Sequence, residues 1–556
     1  MFKKNHAIIL TGILVFASCS TGDKNLETAL NSIDAESMKE RISVLASDEF
    51  LGRAPSTAGE DKTIQYLSDQ FKLAGLQPAN GESYFQEVSL VNITSDASME
   101  LDIKGGKDNL VLAFGDEFIG GTPQVTDNIS VDNSEIVFVG YGINSPEEGW
   151  NDYERLDVKG KTVLMLVNDP GYATSDSTLF NGKAMTIYGR WTWKYEEAAR
   201  QGAKAAIIIH ETGAAAYPWA VVQNSWAGTN SYLVDNELAA SDLLFTGWVT
   251  TGSAQKLFES AGIDYNQAIA SAAKRGFAPY SMNLQASLSF NNKVEYTKSN
   301  NVAALWPGSE RADEYIIYTA HWDHFGVNPA FEGDSILNGA LDNATGTAAL
   351  VEIAEAFTSL AKRQDRSILF LAVTCEEQGL LGSKYYAEHP LFPLDKTVAV
   401  INMDGLNILG KTKNMTIIGL GNSELDDYAA RVIEKQGRYL DPDPTPEQGS
   451  YFRSDHFSFA KVGVPALYLS VGFDNVEHGR EWGLAEAEKW LTNNYHKPSD
   501  NYEPDTWKFD GMIEDLEVYF EVGYDLANTG EYPRWNPGSP FRAVREKTFT
   551  LSSLLF

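Results

Sequence analysis

The chain has 556 residues, which is too long for one hydrophobic core and predicts two or three domains. Hydrophobic residues make up 43% and charged residues 22%, as is typical of a soluble globular protein. With 44 Lys and Arg against 76 Asp and Glu, the formal net charge is −32, which argues against nucleic acid as a partner. The absence of a basic cluster argues against binding to anionic lipid through the polypeptide surface.

The N-terminus has the pattern of an export signal. Two lysines precede the apolar run 7–17, which is long enough for a signal-peptide core and too short to span a bilayer. The run ends in "FASC" at Cys19 and resembles a bacterial lipoprotein signal. The resemblance implies removal of residues 1–18, a lipid on Cys19 and a place in the bacterial cell envelope, with membrane attachment only through that lipid. The alternative is a cysteine near an ordinary cleavage site.

Cys375 is then the only cysteine of the mature chain, so no intramolecular disulfide is expected. Residues 19–35 are polar and predict a tether. The segments "SMKERISVLASDEFLGR" and "GEDKTIQYLSDQFKLAGL" predict helices, the second with an apolar stripe at helical spacing and Gly75 as its C-cap.

Residues 110–284 are predicted to form a β-rich insert. The strand-like runs "VFVGYGI" and "KTVLMLV" are followed by "KYEEAARQGAKAAIII", a helix leading into another strand. Together with "DYERLDVKGKTVLMLVNDPG" they resemble a protease-associated domain; the alternative is a β-rich insertion of no named type. Five aromatic residues of the insert are expected either to overhang a cleft or to pack within the insert: Trp191, Trp193, Tyr217, Trp219 and Trp226.

After residue 285 the pattern alternates between apolar strands and helices. The runs "EYIIYTAH", "SILFLAVTCEE", "TVAVINMDG" and "VPALYLSVG" predict strands, and "TGTAALVEIAEAFTSLAK" is one of the helices between them. This alternation predicts an α/β fold with a doubly wound, mainly parallel sheet. Ligands of such folds bind at the carboxyl ends of the strands.

Five polar residues of this half are each expected where a strand passes into a loop. They lie in "YTAHWDHFG", "NGALDNATG", "LAVTCEEQGLLGS", "VINMDGLN" and "NYHKPSD", and are His321, Asp342, Glu377, Asp404 and His496. Imidazole and carboxylate are the ligands of zinc that keeps an open, catalytic position. Each residue alone has an ordinary alternative as a turn, cap or surface group. Their conjunction favours metal binding.

Two zinc ions need one shared carboxylate and about two private ligands each. Five residues suffice if Asp342 bridges, and the neighbouring Glu376 is then available to take a proton from the attacking water. Successive side chains at a strand end point in different directions, so Glu376 and Glu377 can serve different roles.

These motifs, over about 36–109 and 285–505, resemble the co-catalytic dizinc peptidases that include bacterial leucyl aminopeptidase, aminopeptidase Y, glutamate carboxypeptidase and glutaminyl cyclase. The resemblance implies a first zinc site of His321, Asp342 and Asp404 and a second of Asp342, Glu377 and His496. It also implies a catalytic role for Glu376 as general base, with Asp323 orienting the first histidine, and a cis Asp342–Asn343 peptide bond.

Further residues near these motifs have weaker assignments. Tyr451 corresponds to a tyrosine that stabilises the oxyanion in the bacterial aminopeptidases, or else it only packs. Asp455 and His456 are expected beside the metals, Asp500 to orient His496, and no metal role is assigned to His324.

The resemblance implies a zinc-dependent exopeptidase, most simply an aminopeptidase acting on short peptides. The alternatives are a carboxypeptidase or glutaminyl cyclase with the same metal site, or a non-catalytic, receptor-like binding protein. The predicted peptidase domain is discontinuous, 36–109 and 285–530, and 531–556 is a C-terminal extension.

Overall fold

The computed structural model describes residues 24–226 and 228–554. The α-helices in this part of the chain are α1 (Lys24–Leu30), α2 (Ala35–Leu45), α3 (Ala58–Leu73), α4 (Pro170–Thr174), α5 (Trp191–Arg200), α6 (Thr212–Ala215), α7 (Trp219–Trp226), α8 (Thr251–Ser260), α9 (Tyr265–Ala272), α10 (Thr345–Ser359), α11 (Leu381–Glu388), α12 (Leu425–Lys435), α13 (His456–Lys461), α14 (Arg480–Asn493), α15 (Phe509–Asn528) and α16 (Arg542–Leu554).

The strands are β1 (Gln77–Pro78), β2 (Phe85–Ser95), β3 (Glu100–Lys104), β4 (Leu110–Ala113), β5 (Phe118–Gly121), β6 (Asn128–Phe138), β7 (Asn144–Ser145), β8 (Trp150–Asn151), β9 (Thr162–Leu166), β10 (Ala205–His210), β11 (Thr229–Leu233), β12 (Phe245–Thr250), β13 (Tyr280–Trp306), β14 (Arg311–His321), β15 (Gly326–Val327), β16 (Ile336–Leu337), β17 (Arg366–Val373), β18 (Thr397–Asn402), β19 (Asn414–Ile417), β20 (Tyr439–Pro442) and β21 (Ala466–Ser470).

The second half of the chain forms the predicted mainly parallel sheet. Strands β17, β14, β18 and β21 are adjacent and parallel, and β13 closes one side antiparallel to β17. Every residue of β17 and β18 is buried, which explains their unbroken apolar runs. One face packs against helices that include α2, α10 and α15, and the other against α11 and α13. The predicted α/β class is confirmed.

The insert has a sheet of its own. Strands β6, β9, β10 and β12 are parallel, and α5 leads into β10 as predicted. The predicted boundaries at 110 and 284 are too narrow, because β3 pairs with residues 285–287 in this sheet. Strand β13 runs unbroken from the insert sheet to the catalytic sheet, so no turn marks the boundary in the sequence.

The predicted tether 19–35 is also too long. Residues 24–30 form α1, and its Ala29 is fully buried in the main core, as Ile33 nearly is. Cys19 and the predicted signal 1–18 lie outside the described residues. Among the residues that are described, no helix is long and apolar enough to cross a membrane.

Candidate metal centre

Four of the predicted residues lie at the ends of parallel strands. His321 is the last residue of β14, Glu376 and Glu377 follow β17, and Asp404 follows β18. Because these strands are adjacent and parallel, their carboxyl ends meet at one edge of the sheet. The structure therefore brings these four side chains together.

The expectation that all five residues follow strands is wrong for Asp342 and His496. Asp342 lies in the tight turn 340–344 that leads into α10, and His496 follows the helix α14. The Asp342–Asn343 peptide bond is cis, as the resemblance implied. His496 has a positive φ of 54°, so the chain turns sharply there and returns the ring to the sheet edge.

The carboxylate of Asp342 lies between the two predicted histidines. Its Oδ1 is 3.3 Å from Nε2 of His321, and its Oδ2 is 3.3 Å from Nε2 of His496. Each oxygen thus faces a different imidazole. This is the arrangement that a carboxylate shared by two metal ions requires.

The remaining carboxylates complete two groups around Asp342. Oδ1 of Asp404 is 3.3 Å from Nε2 of His321, and Oε2 of Glu377 is 3.2 Å from Nε2 of His496. In a tetrahedral zinc site with bonds of about 2.0–2.1 Å, ligand atoms lie roughly 3.3–3.4 Å apart. The observed separations and the mixture of nitrogen and oxygen donors therefore fit zinc, and Glu376 belongs to a ligand-like group with His321 and Asp404.

Two buried aspartates hold the ligand loops in place. Asp323 accepts hydrogen bonds from the backbone N–H groups of Glu376 at 3.1 Å and Glu377 at 3.4 Å, and its backbone carbonyl is 3.2 Å from Nδ1 of His321. Asp500 accepts from the backbone N–H groups of Leu341 and Asp342. Asp500 was predicted to orient His496, but its carboxylate instead holds the backbone of the Asp342 turn.

Asp404 is held by Ser454, which directly precedes Asp455 and His456, the two residues expected beside the metals. The hydroxyl of Ser454 donates to Oδ2 of Asp404 at 2.6 Å and accepts from the side-chain amide of Asn402 at 2.7 Å. The hydroxyl of Tyr468 donates to the backbone carbonyl of Asp404 at 3.3 Å. Asp455 is completely buried beside this contact, so the loop does lie near the site.

His324 and Arg53 were given no role from the sequence. Nδ1 of His324 lies 2.6 Å from Oε1 of Glu377. Arg53 is fully buried and donates to the backbone carbonyls of Leu45, Trp322, Asn338 and Gly339, which tie α2 to both sides of the site. The sequence strings "HWDHFG" and "FLGR" contain His324 and Arg53, but a sequence string does not show what these side chains contact.

Tyr451 is not brought to the carboxylates. Its ring packs against Phe452, His456 and Phe541, and its buried hydroxyl has no hydrogen-bond partner among the described residues. Tyr495 occupies the site instead: its ring stacks on His496 with centroids 3.7 Å apart. A tyrosine directly before the last candidate ligand histidine was the signal that could have identified it.

The charges of the site act strongly on one another. Burial raises the pKa of Glu376 well above its ordinary value, and the charges of Glu377 and Asp404 raise it further. Burial also raises the pKa of Asp323, to about 8. Burial alone lowers the pKa of His496, but Glu377 and Asp342 outweigh it and raise that pKa to about 10. So many acidic groups in one buried place call for a compensating cation.

Comparisons with known proteins find similarity in the part of the chain that contains this site. Residues 301–520 match the sequence pattern of Peptidase family M28. Aminopeptidase NAALADL1 of Mus musculus is 35% identical over 137 residues, 23% of this chain and 17% of that protein. Aminopeptidase YwaD of Bacillus subtilis (strain 168) is 25% identical over 232 residues, 39% of this chain and 43% of that protein. The chain thus spans less than half the length of these curated relatives.

The fold extends over a larger part of the chain. An aminopeptidase from Aneurinibacillus sp. strain AM-1 superimposes with a TM-score of 0.51 at 19% sequence identity, covering 91% of this chain and 97% of that one. At this identity the likeness shows the fold alone. The match at 301–520 includes all five candidate ligands and Glu376. The chain is therefore similar to Peptidase family M28 over residues 301–520.

Proposed function

We propose that this protein is a zinc-dependent aminopeptidase that removes N-terminal residues from short peptides. The observation that carries the proposal is the placement of Asp342, whose two oxygens face His321 and His496 at 3.3 Å each. Asp404 and Glu377 complete the two groups, so the donor set is that of two ions sharing one carboxylate.

One ion would be held by His321, Asp342 and Asp404, and the other by Asp342, Glu377 and His496. When bound, zinc supplies Lewis acidity, which polarises a peptide carbonyl and makes water a better nucleophile at neutral pH. His and carboxylate ligands suit this role, since structural zinc prefers closed cysteine-rich sites. The one cysteine of the described chain, Cys375, is buried and contacts Thr374.

Glu376 is the proposed proton carrier. The backbone N–H of Glu376 donates to Asp323. A carboxylate oxygen of Glu376 lies within 4.8 Å of the possible ligand atoms of His321 and Asp404. From this position the carboxylate accepts the proton of the attacking water and returns it to the leaving amine. We assign donation to the oxyanion that develops on the substrate to the hydroxyl of Tyr495, because the Tyr495 ring stacks on His496.

The carboxylates of the site also favour a substrate's ammonium group over a carboxylate. This supports an aminopeptidase over a carboxypeptidase or glutaminyl cyclase. The filled ligand positions oppose a non-catalytic, receptor-like role. The identity of the insert as a protease-associated domain, and export with a lipid on Cys19, are further parts of the proposal that rest on sequence resemblance.

The test combines metal analysis with hydrolysis of matched tripeptides, followed by chromatography of the products. We expect up to two divalent ions per chain, loss of activity after chelation and its return with zinc. N-acetylation of the tripeptide should abolish cleavage. A metal-free protein that still cleaves peptides would contradict the metal site, and equal cleavage of the acetylated peptide would contradict aminopeptidase specificity alone.

A further inference from the structure

We propose that Arg190 of the insert and Arg453 of the catalytic half form an anion-binding subsite that receives a carboxylate of the substrate. The inference rests on the proposed function, because it concerns which peptides the metal centre cleaves. It assigns the insert a direct part in substrate selection.

The two arginines approach the metal centre from different parts of the chain. Arg453 directly precedes Ser454, whose hydroxyl donates to Oδ2 of Asp404, so its backbone lies beside a candidate ligand. Its guanidinium carbon lies 5.4 Å from the ring centre of Tyr217, which belongs to the insert. Arg190 stands immediately before α5, with its guanidinium carbon 5.3 Å from the ring centre of Trp191. The insert and the catalytic half therefore meet at these side chains.

Neither guanidinium group has a hydrogen bond or an ion pair with any described residue, and the Nε atom of each is buried without a partner. Other arginines with buried nitrogen atoms are anchored: Arg53 donates to four carbonyls, Arg438 pairs with Asp515 at 2.6 Å, and Arg545 donates to two carbonyls. Because buried polar groups are normally satisfied, donors left open in this way indicate a ligand.

The electrostatic neighbourhood agrees with this assignment. Burial lowers the pKa of Arg190 to about 10, and the positive charge of Arg453 lowers it further, while Tyr217, Glu376 and Tyr495 oppose the shift. Arg190 therefore remains protonated at neutral pH, within electrostatic reach of both Arg453 and the proposed base. The two positive charges repel each other, and a bound anion would relieve that repulsion.

A carboxylate is the anion that suits this position. The planar guanidinium group matches a carboxylate with two parallel hydrogen bonds. The acidic metal centre favours the ammonium end of a peptide, so we assign the carboxylate that the arginines bind to the residue beyond the scissile bond. Tyr217, which contacts Arg453, also lines a cavity of about 400 Å³ between the insert and residues 447–448.

Two sources can supply this carboxylate: the C-terminus of a dipeptide or an acidic side chain. We would measure kcat and KM for Ala-Ala against Ala-Ala-amide, and for Ala-Glu-amide against Ala-Gln-amide. The variants are Arg190→Gln and Arg453→Gln. Arg155→Gln removes an exposed charge from the same insert and is the matched control. Thermal unfolding and metal content are recorded for each protein.

In at least one pair we expect the wild type to favour the substrate with the additional carboxylate over its neutral partner. Each site variant should raise KM for that favoured substrate about ten- to a hundredfold. KM for the neutral substrate should change less than about twofold in the site variants, and KM for both substrates should change less than about twofold in Arg155→Gln. A preference for Ala-Ala over Ala-Ala-amide identifies the C-terminal carboxylate as the group that is bound. A preference for Ala-Glu-amide over Ala-Gln-amide identifies an acidic side chain as that group. Equal losses on charged and neutral substrates, or no preference in either pair, would overturn the inference.

A binding experiment separates this inference from the proposed function. Calorimetric titration with N-acetyl-alanine and N-acetyl-alanine amide measures carboxylate recognition without turnover. Weaker binding of the acid, but not of the amide, by either arginine variant supports the subsite even if no peptide is cleaved, and then only the proposed function fails. Binding of the acid that neither variant changes overturns the subsite, whatever the activity.

Discussion

Nδ1 of His324 lies 2.6 Å from Oε1 of Glu377, on the oxygen opposite the one that faces His496. Burial disfavours the charged form of Glu377. His496 and His324 stabilise that form more strongly and lower the pKa of Glu377 to about 2. The carboxylate is therefore ionised and the imidazole N–H must donate. His324 thus fixes the orientation of a candidate zinc ligand without being one.

His324→Ala should lower zinc affinity about 10- to 100-fold, because an unsupported ligand loses its fixed orientation. Competition with a chromogenic chelator measures the change. His478→Ala removes a half-exposed histidine away from these contacts and is the control. Unchanged zinc affinity in His324→Ala would show that Glu377 is held adequately by the backbone bond to Asp323.

Glu376→Gln keeps the size of the side chain and removes its basic carboxylate. Loss of a general base costs about 10²–10⁴-fold in kcat, and the metal content should stay unchanged. Glu377→Gln is the matched variant and should lose metal first. If Glu376→Gln loses its metal while keeping ordinary turnover per bound ion, the two glutamates have exchanged roles.

Tyr495→Phe should lower kcat by about 10²-fold with little change in zinc content, since an oxyanion donor acts only in the transition state. Tyr451→Phe removes a hydroxyl without a hydrogen-bond partner and should change kcat less than about twofold. Steady-state kinetics on one tripeptide compares the two. A larger loss in Tyr451→Phe would return the donor role to that residue.

Asp426, in the first turn of α12, provides a test of pH dependence away from the metal centre. Burial raises its pKa to about 6, so the folded chain binds more protons than the unfolded chain between about pH 4 and 6. Its contribution to stability therefore falls as pH rises through that window. Asp426→Asn should raise the free energy of unfolding by about 1–2 kcal/mol at pH 8, partial exposure and the helix dipole reducing the full effect.

At pH 3.5 the same substitution should have little effect, because the carboxyl is then protonated in the folded chain and mostly protonated in the unfolded chain. Urea unfolding at the two pH values measures the difference. Asp61→Asn, in the first turn of α3 and exposed, controls for the helix dipole alone. An equal gain at both pH values would rule out the raised pKa as the cause.

The roles of the aromatic residues in the insert needed the structure. Trp191 and Trp226 pack against each other at 6.1 Å, so for them packing within the insert was the right alternative. Tyr217 instead contacts Arg453 of the catalytic half. No periodicity distinguishes these cases, because Tyr217 and Arg453 belong to segments that are more than two hundred residues apart in the chain.

The sequence by itself determined the elements and most of the candidate ligands, because both depend on local order. Buried parallel strands require unbroken apolar runs, and the polar groups that end β14, β17 and β18 then share one edge of the sheet. Only the tertiary structure showed that Tyr495 stacks on His496 while Tyr451 packs away from the candidate ligands. It also left the guanidinium groups of Arg190 and Arg453 without a hydrogen bond to any described residue, since long-range packing, not local pattern, sets which side chains meet.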